Sequence, residues 1–175
     1  WPGIRLAVNV SPAQFRNPNF EILVSSVLAE TGLPADRLEL EVTETYLVAN
    51  PIQARRSINA IRHLGVAVAL DDFGTGYSSL AYLRRFPFDK LKIDRSFVRE
   101  LMTRRDARAI VKMIIGLAQT LRMRTVAEGV EEPAQRHHVL ARRRVALVGH
   151  RAGPDLAPVE RLLQLRHFRL LEIDD

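Results

Sequence analysis

Cysteine is absent from the 175 residues. That excludes disulfides and thiolate metal sites, so any metal here must take oxygen or imidazole ligands. There is no run of about 18 apolar residues, so no membrane span is expected. Aromatic residues make up only 6% of the chain, and Lys90, Lys92 and Lys112 are its only lysines beside many arginines. The opening Trp1-Pro2-Gly3 has neither Met nor signal-like character, and reads as the start of a piece cut from something longer. No Gly-x-Gly-x-x-Gly follows the first strand-like run, which argues against a dinucleotide-binding sheet.

What is present suits one globular domain with a sizeable core: 175 residues, 47% hydrophobic. The net charge of +6 is uneven. Residues 1–88 hold 8 basic and 8 acidic side chains, and residues 89–175 hold 18 and 12. Such a surplus can attract nucleic acid or a phosphorylated small molecule. No recognition-helix, zinc-finger or aromatic-rich motif accompanies it, so no DNA partner is expected.

The most informative stretch is Asp71-Asp72-Phe73-Gly74-Thr75-Gly76-Tyr77-Ser78-Ser79-Leu80. The apolar run Val66-Ala67-Val68-Ala69-Leu70 before it reads as a buried strand, and it ends on two adjacent carboxylates. At ~4 Å and an effective dielectric of ~20, two like charges repel by about 4 kcal/mol. A cation is therefore expected there, a divalent metal being the economical choice. The alternative is that Asp72 opens a turn or caps a helix.

The same event recurs along the chain. Leu6-Ala7-Val8 runs into Asn9, and residues 38–43 end at Glu44. Phe88 to Ile93 runs into Asp94, and Thr125-Val126-Ala127 runs into Glu128, Gly129 and then Glu131. Between these runs lie stretches with helical periodicity: Asn19–Glu30, Pro51–His63, Ser78–Arg85, Ala107–Leu121 and Pro133–Arg142. Val145–Val148 reads as a further strand, residues 157–165 as a helix, and Phe168–Ile173 as a last strand or a frayed end. Strands alternating with helices predict a parallel sheet whose ligands gather at the strands' carboxyl ends. Six or seven strands fall short of eight, so the expected fold is α/β: a (β/α)8 TIM-like barrel, incomplete because its first strand region is missing.

Leu38-Glu39-Leu40-Glu41-Val42-Thr43-Glu44, the Asp71–Leu80 stretch, Lys92-Ile93-Asp94-Arg95-Ser96-Phe97 and Val126-Ala127-Glu128-Gly129-Val130-Glu131 together resemble the EAL domain. That is the bacterial phosphodiesterase module that opens cyclic di-GMP to linear pGpG in second-messenger signalling. The resemblance is strong over residues 4–140 and weak over 141–175, within one partial domain. It implies that Asn9, Glu41, Asp71, Asp72 and Glu128 are ligands of two divalent ions, Mg2+ or Mn2+. It implies that Lys92 holds the attacking water; Glu128 is a candidate to double as general base, a role that the resemblance alone does not assign. Glu44 and Glu131 would anchor the Asp72–Ser79 loop, and Asp94 would be a neighbouring partner of Lys92. It further implies a cytoplasmic setting, upstream regulatory domains in the full-length protein and a homodimer.

The chain departs from the family pattern in two places. The signature Glu-Ala-Leu and the Arg after it are absent, and Val148-Gly149-His150 stands where Gln-Gly-Tyr or Gln-Gly-Phe is usual. A site lacking one carboxylate should bind metal more weakly, and a missing strand should leave an exposed edge. Little turnover by the 175-residue chain is the resulting expectation. The alternative function is a degenerate domain that senses cyclic di-GMP or a protein partner without cleaving.

Overall fold

The computed structural model describes residues 4–44, 47, 50–74, 83–140, 145–148 and 168–172. The elements are β1 (Ile4–Asn9), α1 (Pro12–Phe15), α2 (Phe20–Thr31), a 3-10 turn (Ala35–Arg37), β2 (Leu38–Thr43), α3 (Pro51–His63) and β3 (Ala67–Phe73). They continue with β4 (Lys90–Ile93), α4 (Arg95–Arg99), α5 (Arg105–Thr120), β5 (Arg124–Glu128), α6 (Pro133–Leu140), β6 (Val145–Val148) and β7 (Phe168–Glu172).

Local chemistry explains the helix ends. Ser11 and Gln14 form a capping box on α1. Asn50 accepts from the Gln53 backbone N–H, with Pro51 at the first position of α3. Gly32, at φ 66, closes α2 in the left-handed conformation that glycine adopts without Cβ strain.

Among the described residues, the seven strands lie in one sheet of order β6-β5-β4-β3-β2-β1-β7. β1 to β6 are parallel and follow one another in chain order without a switch. A doubly wound sheet reverses its order at a switch point; a barrel does not. The sequential parallel sheet therefore agrees with an incomplete TIM-like barrel. β7 was expected only as a strand or a frayed end. It pairs antiparallel with β1, supplying partners to backbone groups that an edge strand would leave open.

The two sheet faces divide by chemistry. Leu6, Val8, Leu38, Leu40, Val42, Val68, Leu70, Leu91 and Ile93 alternate onto one face and are buried in the main hydrophobic cluster. Helices pack against that face, with Ile58 and Ile61 of α3 and Ile114 of α5 fully buried. Each such side chain contributes about 1.5–3 kcal/mol by leaving water. The seam of α5 runs through Ala107, Val111, Ile114, Ile115 and Ala118. Ile110, Leu117 and Leu121 are partly buried beside it. Leu23 of α2 is 51% exposed. Part of the expected 78–85 helix, the 157–165 helix and Gly149-His150 lie outside the described residues. Among the described residues no helix is long and apolar enough to cross a membrane.

Candidate active site

The opposite face of the sheet carries the polar alternation: Asn9 on β1, Glu39, Glu41 and Thr43 on β2, Asp71 on β3, Lys90 and Lys92 on β4, and Glu128 on β5. Two-residue periodicity places them there, and parallel pairing brings the last residue of each strand to one end. Glu41, Asp71, Lys92 and Glu128 are all buried.

Three of the expected ligands meet at Lys92. Its Nζ lies 2.6 Å from Glu41 Oε1, 2.9 Å from Glu128 Oε1 and 3.0 Å from Asp71 Oδ1. Both Glu41 oxygens and Lys92 Nζ are buried without a well-aligned hydrogen bond, so these are electrostatic contacts rather than directional ones. Burial works to discharge the Lys92 ammonium, but Glu41, Asp71 and Glu128 outweigh it and hold its pKa above the ordinary lysine range. Burial, followed by the charges of Asp71 and Glu128 against the relief from Lys92, pushes the Glu41 carboxyl up to about 7.

The end of β3 is bent to present adjacent acids. Leu70 and Phe73 pair with Leu91 and Ile93, three steps against two, so β3 carries one extra residue as a bulge. Asp72 absorbs it with φ 54, a left-handed conformation that Asp tolerates better than most residues. A regular strand would send Asp71 and Asp72 to opposite faces. Here Asp72, though exposed, feels Asp71, Asp94 and Glu128; burial first and these charges next raise its pKa. Gly74 follows at φ 98, its Cα backed against the Phe97 ring, where a Cβ would come within 3.0 Å. Glu44, buried at the end of β2, accepts from the Gly74 backbone N–H at 2.8 Å.

The remaining expected residues stand as follows. Asn9 is register partner of Glu41 and half-buried. Asp94 caps α4, its Oδ1 accepting from the Ser96 backbone N–H at 2.9 Å and contacting Ser96 Oγ. Burial works to raise its pKa, and the bonds from Ser96 outweigh this and lower it. The three ion pairs of Lys92 go to the other acids. Glu131 is exposed, and its backbone N–H donates to Gln135 Oε1. Loop residues 75–79, which it was expected to anchor, lie outside the described residues. Sequence reading passed over the buried Glu39–Lys90 pair. Its signal was there: acids at every second position of β2 and lysines at every second position of β4.

Charge decides what this cluster can hold. With all three buried carboxylates ionised, one ammonium leaves two negative charges in a medium where each uncompensated ion costs several kcal/mol, and without metal the site relieves part of this by holding a proton on Glu41. A divalent cation would offset both, and an all-oxygen donor set suits a hard ion. Among the described residues no three Asp, Glu or His side chains already form a ligand cage; the carboxylates turn onto Lys92 instead. The donor chemistry fits a hard divalent ion, with Glu41 Oε1 and Oε2 both uncommitted to hydrogen bonds.

Relatives carry the same architecture. The EAL domain model matches residues 2–150. "Cyclic di-GMP phosphodiesterase NbdA" of Pseudomonas aeruginosa is 46% identical over 132 residues, 75% of this chain and 17% of that protein. The structure "PaMucR Phosphodiesterase, c-di-GMP complex" superposes with a TM-score of 0.77 at 40% identity, covering 81% of this chain and 57% of that one. The Klebsiella pneumoniae BlrP1 manganese/cy-diGMP complex at pH 9.0 gives 0.72 at 34% identity, covering 78% and 35%. The chain therefore spans less than a fifth of the length of the first curated relatives it matches. A sequential parallel sheet, acids converging at its carboxyl end and a family match over most of the residues lead to one conclusion: this chain belongs to the EAL domain family.

Proposed function

We propose that this chain is the catalytic part of a cytoplasmic, metal-dependent phosphodiesterase that opens cyclic di-GMP to linear pGpG. The observation that carries the reading is the meeting of Glu41, Asp71 and Glu128 on one buried lysine. A site built only to bind an anion would not concentrate buried carboxylates where the phosphate must lie.

Asn9, Glu41, Asp71, Asp72 and Glu128 would hold two hard ions, Mg2+ or Mn2+. When bound, such a pair supplies an acidified water and a charge sink for the leaving oxygen. Lys92 Nζ would orient the attacking water through an N–H that a carboxylate releases when it turns to the metal. Glu128, whose Oε1 lies 2.9 Å from Nζ, would take the proton from that water. The water oxygen would bond to phosphorus as the bond to one ribose oxygen breaks, that oxygen would take the proton Glu128 accepted, and the ring would open to the linear dinucleotide. Glu44 keeps the Gly74 end of the β3 loop in place, and Glu131 is assigned the same task further along. In this reading the unit sits behind regulatory domains of a longer protein and pairs with a second copy.

Incubating the chain with cyclic di-GMP and Mn2+, and titrating binding in parallel, tests the reading. Appearance of pGpG, slow because the Glu-Ala-Leu glutamate is absent from these residues, supports it. Binding without product makes the chain a sensor, and neither binding nor product rejects both.

A further inference from the structure

One rung below the site, Glu39 and Lys90 form a second buried ion pair, with side chains 1% and 8% exposed. The period of β strands sets Glu39 beneath Glu41 on β2 and Lys90 beneath Lys92 on β4. The rungs are about 6.6 Å apart, two residues at ~3.3 Å each. β2 and β4 are not neighbours, because β3 runs between them. The lower pair crosses β3 between Ala67 and Ala69, and the upper pair crosses between Ala69 and Asp71, which Lys92 also contacts. Ala67 is register partner of Glu39, and Ala69 is partner of both Glu41 and Lys90. Glu39 Oε2 accepts no hydrogen bond, so its charge is answered by Lys90.

We propose that Glu39–Lys90 is a positioning pair, which holds the charges of the lower rung so that Lys92 and Glu41 stay committed to the upper one. The inference rests on the metal-dependent reading of the site. An unpaired Glu39 draws Lys92 down, away from Asp71 and Glu128. An unpaired Lys90, level with Glu41 across Ala69, draws the Glu41 carboxylate sideways over β3, away from its place as a ligand. At such separations in a buried setting these attractions are weakly screened. Both single losses therefore disturb the site, whereas removal of both charges leaves nothing to compete for it.

The test uses Lys90→Met, Glu39→Gln and the double variant, with Mn2+ affinity measured by calorimetry below each unfolding temperature and kcat and KM measured separately. Each single change is expected to weaken Mn2+ binding about tenfold and to lower kcat with little change in KM, and the double variant to recover to within about threefold of the unaltered chain. Where Lys90→Met fails to fold, Lys90→Arg and Glu39→Gln replace it; the first should keep the affinity and the second lose it. Single variants that melt earlier yet bind Mn2+ as the unaltered chain does would reduce the pair to a structural role and overturn the inference. A double variant as weak as the singles would do the same. Failure of the Mn2+-loaded, unaltered chain to make pGpG rejects the phosphodiesterase reading alone, because the metal titration reads the pair without turnover. A chain that takes up no Mn2+ rejects both.

Discussion

Lys92 Nζ reaches Glu41 Oε1 at 2.6 Å from a strand that is not adjacent to it. The contact spans β3, where the register partner of Glu41 is Ala69. A short side chain in the middle strand thus lets acid and base from two others meet, and the centre of the site depends on that crossing.

Lys92→Met removes the cation facing three buried carboxylates. Stability should fall by about 3–5 kcal/mol, the usual cost of breaking a buried pair from one side. Mn2+ should raise the melting temperature of this variant more than that of the unaltered chain. Turnover should fall by about a hundredfold or more if Lys92 also orients water. Thermal melts with and without Mn2+ check the first two outcomes, and pGpG formation checks the third.

Glu41 sets a pH dependence. Its carboxyl titrates near 7 instead of 4.5, first because it is buried. The folded, metal-free chain therefore keeps a proton that the unfolded chain loses between 4.5 and 7. This contribution to stability is full below 4.5 and disappears as pH rises through 7. A divalent ion at Glu41 must expel that proton, so Mn2+ affinity should climb with pH up to about 7 and then level off. Calorimetry in two buffers of different ionisation enthalpy measures the released proton. An affinity flat from acid to neutral pH would contradict this account.

The Glu44–Gly74 contact separates geometry from charge. Glu44→Ala leaves the Gly74 N–H without its acceptor and should cost about 1–3 kcal/mol. Glu44→Gln keeps an acceptor oxygen and should cost less. Gly74→Ala should be as harmful as the alanine at 44, because φ is 98 and the new methyl meets the Phe97 ring at 3.0 Å. Comparing melting temperatures and kcat across the three variants tests the order.

Asp72→Asn offers a cleaner dissection. Asn tolerates φ 54 as Asp does, so the bulge and melting temperature should be kept while metal affinity and turnover drop. Asp72→Val, β-branched at a left-handed position, should lose stability as well. Equal melting temperatures for the two variants would mean that the bulge does not need residue 72 to be tolerant.

Much of this arrangement was legible beforehand. Period-two alternation in Leu38–Thr43 put Glu39 and Glu41 on one face, and Pro51 marked the start of α3. Recurrent polar endings pointed to a shared carboxyl-end site. The β3 bulge was not legible, because the extra residue shows only against its partner strand. The antiparallel placement of β7 was also hidden, since strand direction follows from pairing and not from composition. The alternation put Glu39 and Lys90 on polar faces of their strands, and only the sheet revealed that the two lie within reach.

By itself the sequence determined which residues alternate onto a polar face, where strands and helices begin, and which family the chain resembles, because these follow from local periodicity and short-range chemistry. Tertiary structure alone decided that Glu41, Asp71 and Glu128 share one ammonium and that Glu39 finds Lys90. Those contacts depend on register and on the alanines of an intervening strand, distances that no spacing along the chain encodes.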